Sequence, residues 1–352
     1  MIKLILIITF VIVNLPHLSI AKIASVVGNP LTNEIYFEVN KYTKNYPASL
    51  TKIMTLFIIF DELNKNNLNL GDEVVFSNKA TKQQPSKLNI PEGDSITVDQ
   101  AIDALIIKSA NDVAIAIAEK ISGTETSFVK KMNLFAKELG LKNTNFANPH
   151  GLPNQLNLSS ANDIFILSSQ LIKKYPEYLD RFEKKKFTIN EKTYKTHNTL
   201  MNDYEQYIGL KTGYIRKSGF QISLLSKIND TYSLGVYFGG NSAKERNNKI
   251  HFLMNKYQNK ENYVSSQEKI IKTSKVSTRY IIETSSFTKI SDTKKHISFL
   301  TKRLVFLNDY YHHIKKTGRY FVSFFEIETL SKANSLCDEI KKKKLDCIVK
   351  VS

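Results

Sequence analysis

The order of apolar and polar residues divides the chain into stretches of different period. Residues 4–13 form an unbroken apolar run behind Lys3. A helix-breaking Asn14-Leu15-Pro16 follows, and Ser19-Ile20-Ala21 supplies small residues of the kind found at a cleavage site. About ten apolar residues fall well short of the ~20 that span a bilayer. Residues 1–21 therefore read as a signal peptide, with an uncleaved anchor as the alternative. No later stretch of the sequence approaches membrane length.

Past this leader the periods become those of a globular fold. Residues 34–38 read as a strand, 50–63 as an amphipathic or buried helix, and 98–121 as one or two helices. A further helix is expected over 158–173, begun by Ser159 or Ser160. Residues 206–210, 219–226 and 231–239 read as strands separated by Gly, Asn and Asp turn signals. Strands flanking a helical block predict an α+β domain with a mainly antiparallel sheet over residues 22–262. Residues 263–278, rich in Lys, Ser and Thr, read as a linker. The tail, 279–352, repeats in miniature: strand 280–285, helix 288–304, strand 305–312, strand 320–325, helix 330–343, strand 346–351. This βαββαβ order fits a small two-layer domain.

Composition narrows the partners. The 352 residues hold 50 Lys and Arg against 33 Asp and Glu, a formal charge of +17. Such a balance suits a polyanion: nucleic acid, anionic lipid or cell-wall polymer. Export argues against nucleic acid. Residues 263–352 carry 18 basic against 9 acidic side chains, so about half the excess lies in a quarter of the chain. Seven scattered histidines offer no HxH or HExxH spacing, and His312-His313 reads as surface or edge strand, so neither a metal site nor a cofactor is expected. The two cysteines, Cys337 and Cys347, could pair in an oxidising compartment or sit as buried thiols.

Candidate chemistry begins at Pro47-Ala48-Ser49-Leu50-Thr51-Lys52. Three residues apart on a helix, Ser49 and Lys52 share a face, so the Lys amine can take the Ser hydroxyl proton. The helix N-terminus adds N–H groups and a positive dipole end beside Ser49. Lys52 is followed by Ile-Met-Thr-Leu-Phe-Ile-Ile-Phe; an amine opening so apolar a helix is desolvated and its pKa falls. Sixty residues on, Ser109 and Asn111 interrupt an apolar block, and later Lys211-Thr212-Gly213 ends a strand. Any one of these is a common pattern; all three, in this order and behind an export signal, point to nucleophilic catalysis.

The set resembles the three signature motifs of penicillin-binding proteins and serine β-lactamases. Residues 47–54, 106–119, Asn148-Pro149-His150-Gly151-Leu152-Pro153, 209–220 and Gly239-Gly240 followed by Arg246 are similar more narrowly to low-molecular-mass D-alanyl-D-alanine carboxypeptidases. The resemblance covers roughly residues 23–258 and implies the penicillin-binding-protein/β-lactamase-like fold. It implies that Ser49 is the nucleophile, Lys52 its base and Ser109 a proton relay tuned by Lys211. By the same resemblance Asn111 bonds the substrate amide, Thr212 holds the terminal carboxylate, and the N–H groups of Ser49 and Tyr214, beside Gly213, form an oxyanion hole. It further implies peptidoglycan stem peptides as substrate and β-lactams as covalent inhibitors. Ile215 departs from the family, where Thr is common. Arg246 and His197 are either carboxylate contacts or a surface pair with structural roles. No Glu-x-x-x-Asn run suggests a β-lactamase. An endopeptidase acting on D-alanyl cross-links would use the same residues, and an inert wall-binding scaffold is the contrasting class.

The tail resembles a SPOR domain, which binds peptidoglycan glycan strands, in its βαββαβ order, in residues 280–287 and in Ala333-Asn334-Ser335-Leu336. Glu283, Ser285 and Phe325-Glu326-Ile327 depart from that pattern. Gly318-Arg319-Tyr320-Phe321-Val322-Ser323-Phe324 also partly matches the RNP1 strand of RNA-recognition motifs, but Arg319 and Tyr320 fit it poorly. Phe321 and Phe324 are alternatively expected to pack beneath the two helices. The whole predicts an exported, periplasmic serine D,D-carboxypeptidase with a wall tether.

Overall fold

A computed structural model describes residues 23–257, 280–304, 307, 310, 312–327 and 329–351. The expected signal peptide and linker lie outside these residues. The chain divides into two units, 1–262 and 263–352.

Five antiparallel strands make the sheet of the first unit: β1 (Ala24–Gly28), β2 (Ile35–Val39), β3 (Tyr207–Ile215), β4 (Gly219–Ile228) and β5 (Thr231–Gly240). Their order is β2-β1-β5-β4-β3, which leaves β3 at an edge. The period-2 rule sends neighbouring residues to opposite faces: Val26 joins the helical core, whereas Val27 joins a second cluster with Ile222, Leu224 and Tyr237. Because both faces are covered, all of β1 is buried and shows no alternation, and its five residues carry no period-2 strand signal.

On one face lie α1 (Lys52–Asn64), α2 (Val98–Asp103), α3 (Asn111–Ser122), α4 (Glu125–Glu138) and α5 (Ala161–Lys174). Every residue of α1 from Lys52 to Phe60 is buried, the pattern of a helix running through a core. Ser160, rather than Ser159, caps α5 by accepting from the Asp163 N–H. On the other face lies α6 (Ala243–Tyr257), whose Arg246, Asn247, Ile250 and Met254 are buried. A Cβ on Gly235 would fall 2.6 Å from the Met254 sulfur, so a glycine lets this helix approach the sheet.

Where one or two helices were expected over 98–121 there are three pieces. The chain leaves α2 through a π-helical turn, Ala104–Lys108, and Ser109 takes the left-handed conformation (φ 60°, ψ 39°) before α3 begins. Such turns recur at functional sites because they redirect side chains that a regular helix would align.

The second unit has β6 (Tyr280–Phe287), α7 (Ile290–Arg303), β7 (His312–Thr317), β8 (Tyr320–Ile327), α8 (Leu330–Lys342) and β9 (Ile348–Val351). Its antiparallel sheet runs β7-β8-β6-β9. Most of the strand expected over 305–312 lies outside the described residues; among those described, β7 opens at His312 and continues through the lysines to Thr317. An edge strand needs few apolar residues, so the part of β7 beyond His312 carried no hydrophobic signal. Phe325 enters the core with Ile282, Leu300, Ile327 and Ile340, while Phe324 is buried outside that cluster and Phe321 is half-buried. A disulfide joins Cys337 of α8 to Cys347, just before β9.

Candidate active site

Three segments distant in sequence converge on the Lys52 amine. Residues Ala48–Thr51 form a short 3-10 turn that runs directly into α1, which sets Lys52 beneath Ser49. Lys52 is fully buried. Its Nζ lies 2.7 Å from Asn111 Oδ1, 2.7 Å from the His150 carbonyl oxygen and 3.3 Å from Ser49 Oγ. Burial, and then the charge of Lys211, push this amine well below the usual lysine range, with the Asp112 carboxylate opposing.

Asn111 is held at both ends of its amide: Oδ1 accepts from Lys52 and Nδ2 donates to the Gln84 carbonyl at 2.8 Å. The first turn of α3 is anchored further. Its Asn111 N–H donates to the Ser86 carbonyl at 2.7 Å, and the buried Asp112 carboxylate accepts from the N–H groups of Leu88, Asn89 and Val113. Burial raises the Asp112 carboxyl against those bonds. Two residues before Asn111, Ser109 Oγ is buried with no hydrogen-bond partner among the described residues.

The stretch from Asn148 to Pro153 closes another side. Thr55 of α1 donates to the Pro149 carbonyl at 2.6 Å. Gly151 has φ +86°, and a Cβ there would sit 1.8 Å from the Ala48 carbonyl oxygen, so only glycine allows this loop to pack on the turn that carries Ser49. The His150 ring accepts from the Leu152 N–H; burial, reinforced by Lys52 and Lys79, pushes it down to about 3, so it stays neutral.

The fourth side is edge strand β3. Lys211 and Thr212 are buried, while Tyr214 is exposed with its ring against Phe220. At Gly213 a Cβ would lie 3.2 Å from the Ser49 nitrogen, so the strand backbone meets the nucleophile closely. Burial, and next the Arg246 guanidinium, push Lys211 down to about 7. Arg246 is not the surface residue that one reading of the sequence expected. It is buried behind β4, with Nε and Nη2 donating to Asn247 Oδ1 and Nη1 to the Gln221 carbonyl. His197 is exposed.

Ser49, Lys52, Asn111 and the β3 backbone at Gly213 thus form one cluster, with Lys211 close enough to shift Lys52. Sequence reading missed the supporting groups: the His150 and Gln84 carbonyls, Asp112 and Gly151. The first two are main-chain acceptors and leave no side-chain signal. The run 148–153 stood out only through the family resemblance, and Asp112 stands beside a motif residue. Among the described residues no group of His, Cys, Asp and Glu could hold a metal ion.

A family profile described as D-alanyl-D-alanine carboxypeptidase, peptidase family S11, matches residues 13–241. The D-alanyl-D-alanine carboxypeptidase DacF of Bacillus subtilis is 33% identical over 298 residues, 81% of this chain and 73% of that protein. DacD of Escherichia coli is 32% identical over 230 residues, 63% of this chain and 59% of its own length. Penicillin binding protein 5 from Haemophilus influenzae superposes with a TM-score of 0.62 at 29% identity, over 67% of this chain and 69% of that one. Penicillin-Binding Protein D2 from Listeria monocytogenes, solved in a cefotaxime-bound form, gives 0.60 at 26% identity, over 66% of this chain and 95% of its own.

Proposed function

The chain belongs to the D-alanyl-D-alanine carboxypeptidase family of serine peptidases, and from that premise we propose that it removes the terminal D-alanine of peptidoglycan stem pentapeptides through an acyl-enzyme on Ser49. One observation carries the assignment of the nucleophile and its base. Of the three contacts of the Lys52 amine, the two at 2.7 Å are to carbonyl-type oxygens, which only accept. A neutral amine has two hydrogens, and both are used there. Its lone pair is left for the Ser49 hydroxyl, 3.3 Å away, which donates its proton as it attacks.

Attack on the carbonyl between the two D-alanines forms a tetrahedral intermediate. The N–H groups of Ser49 and Tyr214 receive its oxyanion, at the turn where β3 meets the nucleophile. The C–N bond then breaks: Ser109 passes a proton to the departing D-alanine amine, and the ester remains on Ser49. Lys211 and Thr212 hold the terminal carboxylate, and the second Nδ2 hydrogen of Asn111 bonds the donor amide. Water, deprotonated toward Lys52, hydrolyses the ester. β-Lactams acylate the same hydroxyl.

Ser49→Ala is expected to stop both fluorescent-penicillin labelling and D-alanine release. Mass spectrometry of purified muropeptides after incubation reads the reaction: loss of one D-alanine from pentapeptides supports the carboxypeptidase, cleaved cross-links would instead make it an endopeptidase, and unlabelled, unreactive wild type would make it a scaffold.

The remaining parts follow from this reaction. Substrate of this kind lies outside the cytoplasm, so residues 1–21 act as an export signal and the protein works in the periplasm. The second unit is a SPOR-like module that tethers the enzyme to glycan strands. Its βαββαβ order and basic balance support that reading.

A further inference from the structure

Five lysines and a single glutamate stand within residues 184–195, a concentration of charge that none of the catalytic groups uses. The segment folds into a hairpin in which Lys186–Ile189 pairs antiparallel with Lys192–Lys195. Its two-residue turn, Asn190-Glu191, has both residues in the left-handed region, as a tight hairpin turn requires, and this fixes the register.

That register sorts the side chains between two faces. Phe187 and Ile189 are buried in the core of the first unit, and Tyr194 packs with them. The opposite face presents Lys186, Thr188, Thr193 and Lys195, all exposed. Lys186 stands directly across from Lys195, and Thr188 across from Thr193, the two hydroxyl oxygens 2.9 Å apart. Like charges directly opposite in a ladder destabilise it. Lys184 is tied to Asp103 at 2.7 Å, but neither Lys186 nor Lys195 has an ion pair among the described residues. A repulsive pair on so short a hairpin costs stability and adds nothing to packing; an anion from outside the chain would offset it.

The hairpin is also fixed beside the catalytic groups. Both strands lie against the π-helical turn Ala104–Lys108 that delivers Ser109. Lys108 Nζ sits 5.2 Å from the centre of the Tyr194 ring, and the Tyr194 hydroxyl donates to the Leu88 carbonyl at 3.4 Å. Leu88 in turn donates to Asp112, the neighbour of Asn111. A polymer held on this hairpin is therefore held near the groups that cut it. The outer face offers ammonium and hydroxyl groups but no large apolar side chain to enter a bilayer, which suits a hydrated polyanion rather than a membrane.

Building on the carboxypeptidase reading above, we infer that the outer face of this hairpin is a docking surface for peptidoglycan, which it holds through the carboxylates that end the stem peptides. Those peptides end in a carboxylate before and after D-alanine leaves, so the surface engages unprocessed and processed wall alike. Lys186 and Lys195 touch no reacting atom. Two exposed ion pairs are too weak to retain the protein on the wall; they lengthen each encounter and orient the cleft.

The test uses the full-length protein and compares kcat/KM for D-alanine release from purified sacculi with kcat/KM for an acetylated Lys-D-Ala-D-Ala tripeptide. Lys186→Gln/Lys195→Gln should lower the ratio of the two about two- to tenfold at low salt, the loss of two exposed ion pairs. The difference from wild type should shrink as ionic strength approaches ~1 M. The melting temperature should stay level or rise, because a repulsive pair has gone. Lys137→Gln/Lys142→Gln, which removes the same charge from another exposed part of the first unit, should leave the ratio where it was. An unchanged ratio in the hairpin variant, or an equal fall in both variants, would overturn the inference. So would loss of binding to phosphatidylglycerol vesicles in the hairpin variant with the sacculus ratio unmoved, since the partner would then be a membrane. If neither substrate releases D-alanine and penicillin leaves Ser49 unlabelled, it is the carboxypeptidase reading that fails, and the docking surface falls with it.

Discussion

Lys211 is a buried cation that has to stay charged to attract a carboxylate, yet burial and Arg246 bring it down to about 7. In the free enzyme kcat/KM should therefore fall as pH rises through about 7, and most of the fall should appear in KM. A profile flat from about pH 6 to 8.5 would exclude the role. Stability moves the other way. The folded value lies below the ~10.4 of an unfolded lysine, so between about 7 and ~10.4 the unfolded chain binds more protons and stability rises with pH. Lys211→Met should melt higher than wild type, with a gap that is constant below about pH 7 and closes towards ~10.4. At this scale the sequence was most informative. Ser49, Lys52, Ser109, Asn111 and Lys211 stand out because each needs a particular side chain at a fixed spacing. The carbonyls of His150 and Gln84 do not, because any residue supplies a main-chain oxygen.

Among the elements, long runs bounded by turn or cap signals were legible, including α1, which is buried all round for most of its length, whereas short or polar-rich ones were not. The three long strands and α5 announced themselves by period and cap. β1 is buried on both faces, and α6 carries so many polar residues that its apolar positions are too sparse to show a stripe. The pairing of Cys337 with Cys347 was equally hidden, since spacing alone left free thiols as an option. This bond closes a short loop between α8 and β9, and cross-linking a loop of that size is worth about 2–3 kcal/mol in the chain-entropy account. Changing both cysteines to serine should therefore lower the melting transition of the second unit and leave that of the first in place. A calorimetric scan with two transitions reads both; an unmoved tail transition would show that the bridge contributes nothing.

The division into two units sets the expectation for the whole molecule. A chain ending at residue 262 should hydrolyse small soluble peptides much as the full-length protein does but be recovered poorly with purified sacculi. Full recovery of the shortened chain would remove the tether. Within the first unit, the catalytic groups come from different layers. Ser49, Lys52 and Asn111 belong to the helical side, while Lys211 to Tyr214 lie on the outermost strand of the sheet. The reaction centre is thus a joint between two layers that share a hydrophobic core, in which Val26, Leu210, Val236 and Phe238 of the sheet pack with the helices. A slight parting of the layers would separate nucleophile from carboxylate anchor before the hydrogen bonds within either layer were lost. Activity would then be a more sensitive gauge of cohesion than any measure of helix or strand content, and a ligand that touches both layers would act as the clasp between them.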